Sequence, residues 1–216
     1  MNTVILNEIS EKLQRGKAKD VAALVEQALA QGIAPESILN DALVVGMNVI
    51  GDKFRENQVF VPEVLVAARA MNAGLKILKP ALAGAGVEPL GTAVICTVKG
   101  DMHDIGKNLV KMMIEGQGIA CIDLGVDVDA QVIVDTVKNN DVQLVCLSAL
   151  LTTTMSGQKD VIDALTEAGL RDKVRVMVGG APVTQAFADE IGADCYTLDA
   201  ASAAREAVRL IREMRA

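Results

Sequence analysis

Residues 92–98, Thr-Ala-Val-Ile-Cys-Thr-Val, form an apolar run that predicts a buried β-strand. The polar stretch 99–108, Lys-Gly-Asp-Met-His-Asp-Ile-Gly-Lys-Asn, follows it and leads into an amphipathic segment. Strands that alternate with helices favour a parallel sheet with helices on both faces. Four further short apolar runs, each separated from the next by an amphipathic stretch, continue the alternation: 119–124, 142–148, 174–180 and 193–198.

This alternation predicts a flavodoxin-like (Rossmann-like) domain with a five-stranded parallel sheet over residues 89–216, in the strand order 2-1-3-4-5. In such domains, ligands bind beyond the carboxyl ends of the strands, near the point where the strand order switches. Strands one, three and four are neighbours in this order. The loops that follow them, 99–108, 148–154 and 179–182, are therefore predicted to border one crevice.

The first part of the chain has a different periodicity. Apolar residues recur at spacings of three and four throughout residues 1–84, which predicts helices. The second predicted helix covers residues 18–31, and Pro35 and Pro62 begin the third and fourth, because proline is tolerated in a first helical turn. Residues 1–88 are thus predicted to form a four-helix bundle domain. The fourth helix carries an apolar seam made of Val64, Ala68, Met71, Leu75, Leu78 and Leu82.

The composition excludes several classes of protein. Only 2% of the 216 residues are aromatic and the net charge is −7, so the aromatic and basic surfaces that bind nucleic acid are missing. No apolar stretch is long enough to span a membrane, and Glu8 and Glu11 interrupt the N-terminus too early for a signal peptide. We expect a cytoplasmic protein with reduced cysteines, without nucleic-acid or membrane partners. The cysteines lie in or beside apolar runs, as small buried side chains do: Cys96, Cys121, Cys146 and Cys195.

Three familiar ligand motifs do not fit this sequence. Gly100 and Gly106 enclose five residues and Asn108 follows Lys107, whereas a P-loop has four residues there and Ser or Thr after the lysine. A dinucleotide-binding loop needs three glycines after the first strand, and only the last is present. A phosphorelay receiver needs an acidic residue at the end of strand three, where Ser148 stands.

The pair Asp101-x-His103 is the remaining unusual feature of the first loop, and His103 is the single histidine of the chain. A carboxylate two residues before a histidine can accept a hydrogen bond from one ring nitrogen. That bond fixes the tautomer and leaves the other nitrogen available to a metal ion. One imidazole cannot hold a metal alone, so the metal would bring most of its own ligands, as it does in a macrocyclic cofactor.

Three spaced motifs resemble the signature of corrinoid (cobalamin-binding) proteins: Asp101-x-His103-x-x-Gly106, then Ser148-x-Leu150, then Gly179-Gly180. The intervals of 41 and 28 residues between the motifs suit that family. The helical part is similar too, over residues 46–54 and 61–64. The likeness covers nearly the whole chain. It is to the small corrinoid proteins of methanogen and acetogen methyltransferase systems and to the cobalamin module of methionine synthase.

The resemblance implies a role for each matching residue. His103 would be the lower axial ligand of cobalt in place of the cofactor's own dimethylbenzimidazole, with Asp101 hydrogen-bonded to its ring and Thr154 extending that link. The loop residues Gly100, Met102, Asp104 and Ile105 would contact the corrin. The channel for the displaced nucleotide tail would be formed by Gly106, Ser148, Leu150, Thr152, Gly179, Gly180 and Ala200. The helical domain would cap the upper corrin face through Phe54, Val61 and Val64.

The resemblance also implies a function, that of a methyl carrier which binds cobalamin (methylcobalamin or a related corrinoid) and does not catalyse alone. Its partners would be a substrate:corrinoid methyltransferase, a second methyltransferase with tetrahydrofolate or coenzyme M as acceptor, and a reductive activase. The methyl donor stays open among methanol, methylamines, betaines and aryl methyl ethers. Alternatives are a cobalamin sensor, a cobalamin storage or chaperone protein, and an α/β protein that binds another ligand.

Overall fold

The computed structural model describes residues 2–215, and these divide into two compact units. The first unit extends to Pro89 and includes Gly116–Gly118; the second comprises Leu90–Glu115 and the residues from Ile119 onward. The boundary between residues 88 and 89 stays a prediction. Among the described residues, no helix has both the length and the apolar character needed to cross a membrane.

The first unit is helical, as predicted. The third predicted helix is one uninterrupted helical run, because Ile38 and Val45 keep right-handed helical dihedral angles at the two junctions within it. A π-helical segment in the middle of that run was not predicted, since π turns are rare and local departures from α-helical geometry. The elements are α1 (Asn2–Gln14), α2 (Ala18–Ala30), α3 (Pro35–Ile38), the π segment (Leu39–Val44), α4 (Val45–Arg55) and α5 (Val61–Gly84).

The predicted apolar stripes form the core of the helical unit. Ile9 and Leu13 of α1 are fully buried, as are Met71 and Leu78 of α5. The helices approach closely at Gly46, where an added Cβ would lie 3.1 Å from the backbone oxygen of Ser10. A larger residue at position 46 would therefore push α1 and α4 apart.

The second unit contains the five-stranded sheet, and its order β2-β1-β3-β4-β5 with parallel pairing confirms the prediction. The strands are β1 (Thr92–Val98), β2 (Ala120–Val128), β3 (Leu144–Ser148), β4 (Arg175–Gly179) and β5 (Cys195–Tyr196). The helices are α6 (Ile105–Glu115), α7 (Ala130–Asn139), α8 (Ser156–Glu167), α9 (Gln185–Ile191) and α10 (Ala200–Arg215), with a 3₁₀ turn at Arg171–Lys173. Helix α6 packs on α10, and α8 packs on both α7 and α9.

Strands β2 and β5 differ most from their predicted bounds. Strand β2 continues past a bulge to Val128. At the bulge the pairing shifts by one residue: Ile95 pairs with Asp123, whereas Cys96 pairs with Gly125. Apolar patterning cannot carry a strand prediction through such an irregularity. Strand β5 is only two residues long and lies at the edge of the sheet, where a strand is commonly short.

The cysteines all have free thiols in the structure. Cys96, Cys146 and Cys195 are buried, whereas Cys121 near the start of β2 is only partly buried. Burial raises the pKa of Cys96 and of Cys121 to about 12. These thiols are therefore protonated side chains of the sheet at neutral pH.

The register of the sheet sets the position of the functional loops. Thr97 of β1 pairs with Ser148 of β3, and Ser148 pairs with Gly179 of β4. The carboxyl ends of these three strands therefore lie side by side at one edge, as the predicted strand order requires.

Candidate functional site

The loop after β1 holds Asp101 and His103 in direct contact. Oδ1 of Asp101 lies 2.7 Å from Nδ1 of His103 and also accepts the backbone N–H of His103 at 3.1 Å. The Asp101 side chain is fully buried, whereas that of His103 is 49% exposed. A single carboxylate oxygen thus fixes both the backbone and the ring of the histidine.

The other oxygen of Asp101 connects this loop with the loop after β3. Oδ2 accepts the hydroxyl of Thr154 at 2.7 Å, the backbone N–H of Leu150 at 2.7 Å and that of Leu151 at 3.3 Å. The Thr154 hydroxyl also lies 2.9 Å from the backbone oxygen of Leu151. Asp101 therefore joins residues that are about fifty positions apart in sequence, and the buried carboxylate has a hydrogen-bond partner at each oxygen.

These contacts determine the charge state of Asp101. Burial alone would raise its pKa, but the hydrogen bonds from Thr154, Leu150 and His103 outweigh burial and hold the pKa well below its ordinary value. An ionised Asp101 can only accept, so Nδ1 of His103 carries a proton and a neutral ring has its lone pair at Nε2. Within residues 2–215, no group forms a hydrogen bond with Nε2. The imidazole is thus oriented to coordinate a metal ion through Nε2.

Thr97 contacts the loop of His103 and was not predicted as a site residue. It is fully buried near the end of β1, and its hydroxyl donates to the backbone oxygen of His103 at 2.7 Å. The signal in the sequence was a hydroxyl in a largely apolar strand, two residues before the polar loop begins at Lys99. With Asp101, Thr97 fixes the backbone of His103 from both its N–H and its C=O.

Large apolar side chains are exposed on the two loops that Asp101 joins. Met102 and Ile105 are 68% and 73% exposed, and Leu150 and Leu151 also face solvent. Exposed apolar residues on neighbouring loops are typical of a ligand-binding surface. Leu151 was not predicted as a site residue. The remaining predicted residues of these loops are exposed at Gly100, Asp104 and Thr152 and half-buried at Ser148.

The motif glycines serve different purposes. At Gly106, the second residue of α6, an added Cβ would meet nothing within 4 Å, so the space beside it is open to a ligand. At Gly180, φ is +130° and an added Cβ would overlap the backbone oxygen of Ala149. Gly180 is therefore required by the fold itself. At Gly179 a Cβ would make ordinary contact, 3.5 Å from the backbone oxygen of Thr197.

Gln158 of α8 is a further residue that was not predicted. It is fully buried, and its Nε2 donates to the backbone oxygens of Leu147 at 2.9 Å and Gly179 at 3.0 Å. It thereby connects the ends of β3 and β4, beside Ser148 and Gly180. Its Oε1 has no hydrogen-bond partner among the described residues. A lone polar residue on the apolar face of a helix is the sequence signal for such a position.

Four predicted site residues belong to other elements than the loops after β1, β3 and β4. Ala200 is buried at the start of α10, at the end of the segment that follows β5. In the helical unit, Phe54 and Val61 are half-buried at the end of α4 and the start of α5, and Val64 is fully buried. Contacts of these four residues with a ligand remain predictions.

The residues of the second unit fit a cobalt corrinoid. His103 offers one outward nitrogen, which suits a metal that brings its other ligands in a macrocycle. The exposed side chains of Met102, Ile105 and Leu150 suit an apolar ring system, and the open space beside Gly106 suits a chain that passes close to the backbone.

Comparisons with known proteins agree with this fit. Residues 91–209 match a family described as a B12 binding domain, and residues 5–79 match a second family of the same description. The chain is 44% identical over 208 residues to dimethylamine corrinoid protein 1 of Methanosarcina mazei, covering 96% of each. It is 45% identical over 177 residues to trimethylamine corrinoid protein 1 of Methanosarcina acetivorans, covering 81% of this chain and 82% of that one.

A solved structure extends the likeness. The methanol:cobalamin methyltransferase complex of Methanosarcina barkeri contains a chain that matches at a TM-score of 0.85 and 33% identity, covering 96% of this chain and 80% of that chain. The protein binds cobalamin or a related corrinoid. The chain belongs to the family of corrinoid, cobalamin-binding proteins of methyltransferase systems.

Proposed function

We propose that this protein carries a methyl group between two methyltransferases on a corrinoid that is held with His103 as its lower axial ligand. The orientation of His103 supports this proposal most directly. Nδ1 is occupied by the Asp101 carboxylate at 2.7 Å, and Nε2 has no protein partner within the described residues. When bound, the cofactor supplies the cobalt centre that accepts and releases the methyl group.

The protein's own contribution is to orient one imidazole and to hold its proton. Asp101 keeps Nδ1 protonated and hydrogen-bonded, which leaves Nε2 as the donor atom. Thr154 and the N–H of Leu150 stabilise the negative charge of Asp101 in a buried position. Displacement of the cofactor's own base would leave a nucleotide tail to be accommodated, and the open space beside Gly106 supports its passage there.

The partners follow from this proposal. A substrate:corrinoid methyltransferase would deliver the methyl group, and a corrinoid:tetrahydrofolate or corrinoid:coenzyme M methyltransferase would remove it. A reductive activase would return the oxidised cofactor to its active state. The relatives named for dimethylamine and trimethylamine support a methylated amine as the donor. These reactions would place the protein in the cytoplasm.

Reconstitution tests the carrier function. The protein is loaded with hydroxocobalamin, reduced chemically, and mixed with a dimethylamine- or trimethylamine-specific methyltransferase and its amine. We expect the absorbance of protein-bound methylcobalamin to appear together with an equal amount of demethylated amine. Free cobalamin at the same concentration is the control for unassisted transfer. If methylamines, methanol, betaines and aryl methyl ethers, each with its own methyltransferase, all fail to methylate the bound cofactor, the carrier function is wrong and a sensor or storage role becomes the better explanation.

A further inference from the structure

Asp127 has a backbone conformation that most residues avoid. It lies near the end of β2, two residues after Gly125 in the bulged part of the strand, and its φ is +54°. A non-glycine residue in the left-handed region is uncommon and is kept where its surroundings require it.

The contacts of Asp127 are to the loop that carries His103. Its Oδ1 accepts the backbone N–H of Gly100 at 2.8 Å, and its own N–H donates to the backbone oxygen of Asp101 at 3.0 Å. The ammonium group of Lys99 lies 3.8 Å from the same Oδ1. Asp127 thus contacts three consecutive residues that end two positions before the histidine.

These contacts complete a two-sided support for the loop. Strand β1 lies between β2 and β3 in the sheet. From the β3 side, Leu150 and Thr154 hold the side chain of Asp101. From the β2 side, Asp127 holds the backbone at Gly100 and Asp101. A loop fixed from one neighbour only could pivot about that attachment, whereas attachment to both neighbours defines its orientation.

The identity of the residue is informative. Glycine would adopt the left-handed backbone without strain, but it has no side-chain acceptor for the N–H of Gly100. Asparagine tolerates the same backbone and keeps an acceptor oxygen. Substitution by glycine and by asparagine can therefore separate the effect of the hydrogen bond from that of the backbone strain.

We propose that Asp127 is a positioning residue that holds the loop of residues 99–101 in place before the cofactor binds, so that Nε2 of His103 is already directed toward cobalt. This inference rests on the proposed function, in which His103 is the axial ligand. A preorganised ligand loses less conformational freedom on binding, which increases affinity.

The first measurement concerns the apoprotein. Amide hydrogen exchange at Gly100 is compared for the wild type, Asp127→Gly, Asp127→Ala and Asp127→Asn. We expect Asp127→Gly and Asp127→Ala to accelerate exchange by about tenfold or more, as for the loss of a hydrogen bond to a charged acceptor. Asp127→Asn should stay close to the wild type. The matched control is Asp129→Ala, which removes a carboxylate two residues away that caps α7 through the N–H of Gln131.

The second measurement concerns the loaded protein. In protein grown on ¹⁵N-histidine, the doublet splitting in the electron paramagnetic resonance spectrum of the cobalt(II) form reports the fraction of cofactor with histidine bound, because His103 is the single histidine of the chain. That fraction should fall in Asp127→Gly and Asp127→Ala, return in Asp127→Asn, and stay at the wild-type value in Asp129→Ala. Wild-type exchange or a wild-type spectrum in Asp127→Gly would overturn the inference. Absence of the ¹⁵N doublet from the labelled wild-type protein would instead overturn the proposed function, because it would remove His103 as the ligand.

Discussion

Asp101 and His103 lie two residues apart in sequence and form a 2.7 Å contact between Oδ1 and Nδ1 in the folded protein. The carboxylate is fully buried, whereas the imidazole is about half exposed. The pair therefore connects the interior of the sheet domain to its ligand-binding edge. Because Oδ2 of Asp101 accepts three further hydrogen bonds, the orientation of the ring depends on two loops at once.

Removal of the Asp101 carboxylate should destabilise the protein even without cofactor. In Asp101→Ala, the N–H of Leu150 and the hydroxyl of Thr154 lose their buried acceptor. We expect the free energy of unfolding to fall by about 3 kcal/mol or more, as for several buried polar groups left without partners. Urea unfolding of the apoprotein measures this change. Asp163→Ala, at an exposed ion pair with Lys159, is the control and should alter stability little. A loss for Asp101→Ala no larger than that of the control would contradict the assigned hydrogen bonds.

Thr97→Val tests the support beneath His103. Valine has nearly the same shape, but it cannot donate to the backbone oxygen of His103. We expect a stability loss of about 1 kcal/mol, typical of one hydrogen bond, together with a smaller fraction of histidine-bound cofactor in the cobalt(II) spectrum. Thr92→Val at the other end of β1 should leave that fraction unchanged. Equal spectra for the two variants would show that the Thr97 hydroxyl does not position the histidine.

Of two glycine substitutions, one should weaken cofactor binding and the other should prevent folding. Gly106→Ala places its methyl group in open space, so we expect normal apoprotein stability. If the cofactor occupies that space, the dissociation constant for cobalamin should rise by about tenfold or more, since an extra methyl in a filled site costs about 1–3 kcal/mol. Gly180→Ala should prevent stable folding, because its Cβ overlaps the backbone of Ala149. Titration calorimetry measures the dissociation constant for cobalamin, and thermal unfolding measures the stability of each variant. Unchanged cobalamin affinity in Gly106→Ala would place the nucleotide tail elsewhere.

The ion pair between Lys107 and Asp123 predicts how stability depends on acid. Nζ of Lys107 lies 2.7 Å from Oδ1 of Asp123, and the Lys107 side chain is buried. Burial alone would raise the pKa of Asp123, but hydrogen bonds from Lys107, Lys111 and the N–H of Gly125 outweigh it and lower the pKa to about 2. A lowered carboxyl pKa contributes stability above the unfolded value, and this contribution disappears as the pH falls through the folded value.

The comparison is therefore between the wild type and Asp123→Asn. Their difference in unfolding free energy should be largest above about pH 4 and should shrink as the pH approaches 2, near the folded pKa. A difference for Asp123→Asn that stays constant over this range would contradict the lowered pKa.

Much of the fold was predictable because its signals are local. Apolar runs such as 92–98 and helical spacing such as that of Met71 and Leu78 depend on neighbouring residues only, and the strand order follows from the rules for parallel sheets. Asp101 and His103 were found because their contact is between near neighbours in sequence. Thr97, Asp127 and Gln158 were missed because each acts through backbone atoms of a distant or adjacent loop. Every residue except proline has the same backbone N–H and C=O groups, so the sequence does not show which of them a side chain will contact.

Selective isotope labelling identifies the axial nitrogen that binds cobalt. His103 is the single histidine of the chain, so growth on ¹⁵N-histidine labels one imidazole only. The loaded protein is reduced to cobalt(II), and its nitrogen splitting is recorded by electron paramagnetic resonance with unlabelled and labelled protein. If Nε2 of His103 binds cobalt, the triplets of the unlabelled protein become doublets in the labelled one. Triplets that persist after labelling would show that the cofactor's own base remains bound, which would contradict the assignment of His103 as the axial ligand.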